Sequence, residues 1–149
     1  MSDGYVDQTT RTSVQVLAWF ANKNGGGIGK VKVMKLAYIA ERHRMRSSGL
    51  SITQDKLSAM PMGPVLSGAL NLLNPKKTNK PINAYFSKYL DVVHKEKAHI
   101  VTAKAVDEDE FSENDLSSLE WAWNNFGHYN WRKLVDITHE LPEWKSRSR

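Results

Sequence analysis

The strongest constraint on the fold of this chain is a helical spacing of apolar residues that recurs in five separate stretches. In one of them Val33, Leu36, Ala37 and Ala40 stand at positions i, i+3, i+4 and i+7, so they share one face of a helix. The predicted helices, with their end residues, cover 12–23, 32–46, 64–74, 112–127 and 130–142. A pattern of this kind predicts helices that pack their apolar faces together.

Capping residues and helix breakers mark the ends of these helices. Thr12 with Gln15, and Ser112 with Asp115, have the spacing of a capping box. Pro64 suits the first turn of the third helix, because a proline there gives up no helical hydrogen bond. We expect the triple glycine after Asn24 to form a flexible turn between helices. The other residues that mark helix ends are Ser47-Ser48-Gly49, Asn74-Pro75, Gly127, the N-cap Asn130 and Pro142.

Two short segments have the composition of β-strands. Residues 89–93 and 98–106 are rich in β-branched side chains and flank the polar turn Lys95-Glu96-Lys97, which predicts a small hairpin. Pro61 rules out a regular helix over residues 50–62, and residues 76–81 resemble an exposed loop. The predicted fold class is mainly α (α+β), a compact bundle of about five helices with a small antiparallel β-hairpin between the third and fourth helices.

Length and composition limit the class of protein. A chain of 149 residues is the size of one domain, here with a core at about 12–144, a flexible N-terminal arm and a basic C-terminal tail. The absence of cysteine excludes disulfides and thiolate metal sites. We see no signal-peptide pattern and no membrane-spanning stretch, and therefore expect a cytoplasmic protein without a membrane partner. The net charge of +5 favours nucleic acid or an acidic protein surface as partner.

Two motifs begin like phosphate or zinc sites and then depart from them. The stretch 25–30, Gly-Gly-Gly-Ile-Gly-Lys, has Asn24 where a phosphate-binding loop needs its first glycine and Val31 where it needs serine or threonine. His139-Glu140 begins a zinc-protease signature, but Glu143 stands in place of its second histidine. We therefore expect neither a metal nor another cofactor.

The remaining candidates for catalytic groups are hydroxyl nucleophiles and a histidine–carboxylate pair. Ser67 and Thr138 are hydroxyl candidates, but neither lies in a recognised nucleophile motif. Thr138 and His139 come at a helix end, where a hydroxyl can bond back to the backbone and an imidazole can bond terminal carbonyls. A small hydrolase or transferase using His139 with Glu140 or Glu143 is an alternative, although no catalytic residue is predicted.

Five tryptophans are many for a chain of this length, so some of them are candidates for a binding surface. Trp123 and Trp131 lie on the apolar stripes of their helices, which predicts core positions for both. Trp121 is turned off the stripe that Leu119 and Trp123 share, which makes it a candidate interface anchor. We expect Trp144 to fold back over the core.

Three short segments stand in an order and at separations that are specific when taken together. They are Lys35-Leu36-Ala37-Tyr38, the stretch 59–65 (Ala-Met-Pro-Met-Gly-Pro-Val), and Ile137-Thr138-His139 with Pro142-Glu143-Trp144. Over about residues 16–144 the chain thereby resembles the Panacea domain of SocA-like antitoxins. The family commonly has an aromatic residue directly before Gly-Pro-Val, where this chain has Met62.

The resemblance implies a binding protein and not an enzyme. Family members neutralise protein toxins encoded nearby by direct contact, and the SocA type is a proteolytic adaptor that delivers its toxin to a cellular protease. Such proteins are found in bacteria and on phages and other mobile elements. The residues implicated in partner binding are Lys35, Tyr38, Met62, Gly63, Pro64, Thr138, His139 and Trp144.

A nucleic-acid-binding regulator of phage or mobile-element origin is the alternative function. The positive net charge and the basic tail at 145–149 suggest it. However, the sequence shows no clear helix-turn-helix pair with a polar, base-reading second helix. A protein toxin is therefore the preferred partner.

Overall fold

A computed structural model describes residues 5–60, 63–95 and 98–147 of the chain. Within these residues the helices are α1 (Gln8–Lys23), α2 (Lys30–Ser48), α3 (Ser67–Leu72), α4 (Lys80–Tyr89), α5 (Glu113–Phe126), α6 (Trp131–His139) and α7 (Pro142–Arg147). The strands are β1 (Gly27–Gly29), β2 (Leu57–Met60), β3 (Gly63–Leu66), β4 (Leu90–Lys95) and β5 (Ala98–Ala103). The predicted mainly helical class with a minor antiparallel β component is confirmed.

Two helices, α1 and α2, form the centre of the fold. Residues 12–21 of α1 and 33–41 of α2 are all buried, so both helices are enclosed on every side over these turns. Helix α2 contacts α1, α5, α6 and strands from both sheets. It ends at Gly49, whose left-handed backbone (φ 75°) lets its N–H close the last turn on Met45 O at 2.7 Å.

The β structure consists of two small antiparallel sheets. Strands β1, β5 and β4 form one sheet in that order, and β2 pairs with β3 in the other. In the first sheet Ile28 of β1 faces Val101 of β5, and both side chains are buried against the helices. In the second sheet Pro64 lies opposite Ala59.

The start of α1 differs from the prediction. The N-cap is Asp7, whose carboxylate accepts a hydrogen bond from Thr10 N at 2.8 Å, so the helix begins before Thr12. Thr12 and Gln15 are buried interior residues and do not form the predicted capping box. Gln15 instead bonds to Tyr85 Oη (2.9 Å) and accepts from Asp107 N (2.7 Å), because a buried amide needs polar partners.

The glycine-rich segment after Asn24 is partly a strand, not only the predicted flexible turn. Gly27–Gly29 pairs with β5, and a β-carbon on Gly27 would lie 3.4 Å from Ile100 Cγ2. Glycine thus allows the close approach of the two strands.

Pro64 does not begin a helix, contrary to the prediction. It lies in β3, and α3 starts three residues later at Ser67. The Asp55 carboxylate accepts from Gly68 N at 2.9 Å and Ala69 N at 2.8 Å, which satisfies the first free amides of α3. The position of the helix start therefore depends on a residue from the preceding loop.

The segment predicted as a loop, 76–81, overlaps a short 3₁₀ turn, Pro75–Lys77, and the start of an unpredicted helix, α4. Asn79 caps α4 by accepting from Ile82 N at 3.0 Å. The hairpin of β4 and β5 lies between the predicted third and fourth helices, which correspond to α3 and α5, and the unpredicted α4 directly precedes it. Glu96 and Lys97 of the predicted turn lie outside the described residues.

Several predicted ends are confirmed. Ser112 and Asp115 form a reciprocal capping box with both distances at 3.0 Å, and Asn130 caps α6 through Lys133 N at 2.9 Å. Gly127 is the C-cap of α5. Pro142 follows the end of α6 and is also the first residue of α7.

A buried carboxylate on α2 holds the loop that leads to β2. Glu41 is almost fully buried and accepts hydrogen bonds from Ser51 Oγ (2.6 Å), Ile52 N (2.5 Å), Thr53 N (3.1 Å) and Thr53 Oγ1 (2.5 Å). These four bonds compensate for the burial of the charge and order residues 51–53 against α2.

We predict that Glu41→Gln lowers the free energy of unfolding by about 2–3 kcal/mol, because an amide cannot accept all four hydrogen bonds. Urea denaturation followed by circular dichroism measures this loss. The control is Glu120→Gln, which removes an exposed pair with Lys23 at 3.1 Å and should cost less than about 1 kcal/mol. Equal losses in both variants would contradict the role assigned to Glu41.

Candidate functional site

The three segments singled out in the sequence meet at one place, which we call the Gly63 corner (Lys35, Gly63, Pro64, Thr138 and His139). Lys35 Nζ donates a hydrogen bond to Pro64 O at 3.0 Å. A β-carbon on Gly63 would lie 2.9 Å from Thr138 Oγ1, 3.0 Å from His139 Cδ2 and 3.1 Å from Lys35 Nζ. The corner therefore joins α2, β3 and the end of α6.

Only glycine fits at position 63. Its φ of 104° is a backbone conformation that side chains rarely permit. The short distances to Thr138 and His139 leave no room for a β-carbon either. Gly63 thus lets β3 pack directly against α2 and α6.

Lys35 is a buried ammonium group, with 1% of its surface exposed. Pro64 O is its hydrogen-bond acceptor, and no acidic side chain within the described part of the chain forms an ion pair with it. Burial disfavours the charged form and lowers the pKa of Lys35 to about 8. Burying the charge costs free energy, and the hydrogen bond that Lys35 donates to Pro64 O fixes the β3 backbone against α2.

Thr138 and His139 behave differently at the end of α6. Thr138 is fully buried, and its Oγ1 bonds back to Leu134 O (3.0 Å) or Val135 O (3.1 Å), as the sequence suggested. The His139 ring stacks on Trp144 at 4.2 Å with 18° between the planes. Its Nε2 atom is buried without a hydrogen-bond partner among the described residues, so this nitrogen does not bond a terminal carbonyl.

Tyr38 and Arg42 hold α7 against α2 through Glu143. Tyr38 Oη donates to Glu143 Oε2 at 2.8 Å, and Arg42 Nε donates to the same oxygen at 2.7 Å. Burial opposes ionisation of this carboxyl, but hydrogen bonds from its backbone, Arg42 and Tyr38 outweigh it and lower the pKa of Glu143. Arg42 was not among the predicted site residues, although it lies one turn after Tyr38 on the same face of α2.

The proposed catalytic pairing of His139 with Glu140 or Glu143 is not formed. Glu143 is bonded to Tyr38 and Arg42, and Glu140 forms an exposed pair with Lys145 at 2.9 Å. Neither carboxylate hydrogen-bonds His139 in the described residues. The bonds of Glu143 hold α7 against α2.

An open cleft of about 600 Å³ lies beside this assembly, and we call it the Trp121 cleft. Its lining combines apolar and basic side chains from α2, α5 and the α6–α7 region: Ile39, Arg42, His43, Arg46, Ser47, Trp121, Phe126, Ile137, Leu141 and Pro142. Trp121 is 38% exposed and stacks on the His43 ring at 4.1 Å. Trp121, the candidate interface anchor, thus lies in this cleft with part of its surface exposed.

The burial of the other tryptophans agrees only in part with the positions predicted from the apolar stripes. Trp123 is partly buried and packs against the core. Trp131 is 44% exposed, so its predicted core position is wrong. It is the first residue of α6, and the buried residues of this helix, Leu134 and Thr138, follow later in the chain. Trp144 folds back onto the His139 ring, and its expected packing over the core remains a prediction.

Met62 lies outside the described residues, so its predicted role has no structural description. Across residues 5–60, 63–95 and 98–147 no three histidine, aspartate or glutamate side chains are grouped closely enough to hold a metal ion. No helix in the same ranges has the length and apolar character needed to cross a membrane.

The pKa of Lys35 generates a pH-dependent stability. The unfolded chain keeps the Lys35 proton up to a pKa of about 10.5, whereas the folded chain releases it near 8. The free energy of unfolding of the parent protein, measured relative to that of Lys35→Met, should therefore rise as the pH is raised from about 8 to about 10.5. Urea denaturation of both proteins across this range tests it, and a difference that does not change with pH would contradict the buried ammonium.

Comparison with known proteins identifies one matching family. The family described as "Antitoxin SocA-like, Panacea domain" matches residues 33–145, about three-quarters of the chain. The match spans every residue of the Gly63 corner and the Trp121 cleft. No curated protein and no solved structure matches the chain. The chain belongs to the Panacea domain family of SocA-like antitoxins.

Proposed function

We propose that this chain is a cytoplasmic antitoxin that neutralises a protein toxin encoded nearby by binding it directly, without catalysing a reaction. The observation that carries the proposal is the family match over residues 33–145. The geometry around His139 supports it, because neither neighbouring glutamate is placed to activate the ring.

The buried and exposed residues of the site have different parts in this function. Lys35, Tyr38, Pro64 and Thr138 are buried, so they act by fixing the positions of β3, α6 and α7. The stacked pair of His139 and Trp144 is only partly buried, and the residues between the two in the chain include Leu141 and Pro142, which line the Trp121 cleft. A toxin would contact this partly exposed surface, and the Gly63 corner would hold it in shape.

Two mechanisms of neutralisation fit such a surface. In the first, the bound antitoxin covers the active region of the toxin and both proteins persist. In the second, the chain is a proteolytic adaptor that hands the toxin to a cellular protease. The amount of toxin in the cell separates them, because it stays constant under occlusion and falls under adaptor-mediated degradation.

The test is to express each gene adjacent to this one alone and together with it. We expect at least one neighbour to stop growth when expressed alone and to be tolerated when co-expressed, with the two proteins co-purifying. The double variant His139→Ala, Trp144→Ala should lose the rescue by at least about tenfold in surviving colonies, as expected for loss of about 1.4 kcal/mol or more in binding. Immunoblots of the toxin distinguish occlusion from degradation.

The matched control is Trp131→Ala, which removes another exposed tryptophan and should keep the rescue. Circular dichroism must show that all variants are folded. The proposal fails if no neighbouring product is toxic, or if rescue occurs without any complex. Binding to DNA that weakens steeply with salt would support the nucleic-acid-binding regulator instead.

A further inference from the structure

We propose that the Trp121 cleft binds a partner segment in which an apolar side chain stands next to a carboxylate. This inference deepens the proposed function, since the toxin is the expected source of the segment. It concerns the chemistry of the contact, which neither the family match nor the Gly63 corner specifies.

The apolar part of the cleft comes from several elements. Ile39 on α2, Phe126 on α5 and Ile137 on α6 line it, together with Leu141 from the segment before α7. Trp121 stands in the same lining with 38% of its surface exposed. An exposed tryptophan beside an apolar depression of this size is the kind of residue that dominates binding energy when a partner covers it.

The charged part of the cleft is positive and incompletely balanced. Arg42 is already paired with Glu143 at 2.7 Å, and His43 Nδ1 lies 2.9 Å from Ser118 Oγ. Arg46 is exposed and forms no ion pair with any residue that the structure describes. A guanidinium at the edge of an apolar cleft favours a carboxylate on the partner, both for steering and for a charge-assisted hydrogen bond.

A second cleft gives an internal comparison. It has a volume of about 460 Å³ and is lined by Lys30, Lys32, His99 and the exposed Trp131, among others. Lys32 Nζ is already bonded to Gly127 O at 2.6 Å. The Trp121 cleft, by contrast, is continuous with Leu141 and Pro142, which lead directly into the Glu143–Trp144 segment.

The experiment is selection of phage-displayed random 12-residue peptides on the immobilised full chain, followed by affinity measurement of the enriched peptides. We expect enriched peptides to place an aromatic or aliphatic residue within a few positions of Asp or Glu. Arg46→Glu should weaken their binding about tenfold, and Trp121→Ala about 30-fold. The matched controls Arg132→Glu and Trp131→Ala, in the region of the second cleft, should change it by less than about twofold.

The inference is overturned if no peptide is enriched, if enriched peptides lack acidic residues, or if the control variants weaken binding as much as the cleft variants. Enrichment of basic peptides, or competition by single-stranded DNA at low salt, would also overturn it. The peptide experiment needs no toxin. If it succeeds and the co-expression test fails, the proposed binding specificity of the cleft stands and the antitoxin function is contradicted. Full rescue by Arg46→Glu and Trp121→Ala would show that the toxin binds elsewhere, which also contradicts the inference.

Discussion

Helix α2 buries Lys35, Glu41 and Arg44, and each of these charged groups needs a polar partner in the interior. The partners come from three different parts of the chain. Lys35 bonds to Pro64 O of β3, Glu41 accepts from residues 51–53, and Arg44 Nε donates to Asp115 Oδ1 at 3.0 Å on α5. Because an unpaired buried charge is costly, these bonds fix where the surrounding segments lie against α2.

The sequence predicted the features that depend on local pattern. The capping box of Ser112 and the N-cap Asn130 need only neighbouring residues, and both were found. Helix α4 also has a local pattern, since Ile82, Tyr85, Phe86 and Tyr89 stand at helical spacing. It was not predicted because residues 76–81, where it begins, resemble a loop. The errors at Pro64 and Trp131 have a different cause, because pairing with Ala59 and the lack of a covering element are tertiary properties.

The sequence predicted which residues belong to the candidate site, but it did not predict how they are buried and packed. The order of the segments around Lys35, Gly63 and Thr138 indicated that these residues belong together, and the structure places them in contact. Their burial could not be read from the sequence, since it follows from the enclosure of α2 by the other helices. The outer face of the same helix carries Arg42 and Arg46, so α2 connects the buried corner with the open cleft.

The central claim is that a partner covers one surface, formed by the outer face of α2, the Trp121 cleft and the His139–Trp144 pair. Hydrogen–deuterium exchange of the chain, free and in complex with the neighbouring gene product that it neutralises, tests this claim most directly. The account predicts slower exchange in residues 39–47, 119–126 and 137–142 on binding, with no change around Trp131. Protection confined to residues 29–32 and 130–132, with none along α2 at 39–47, would contradict it.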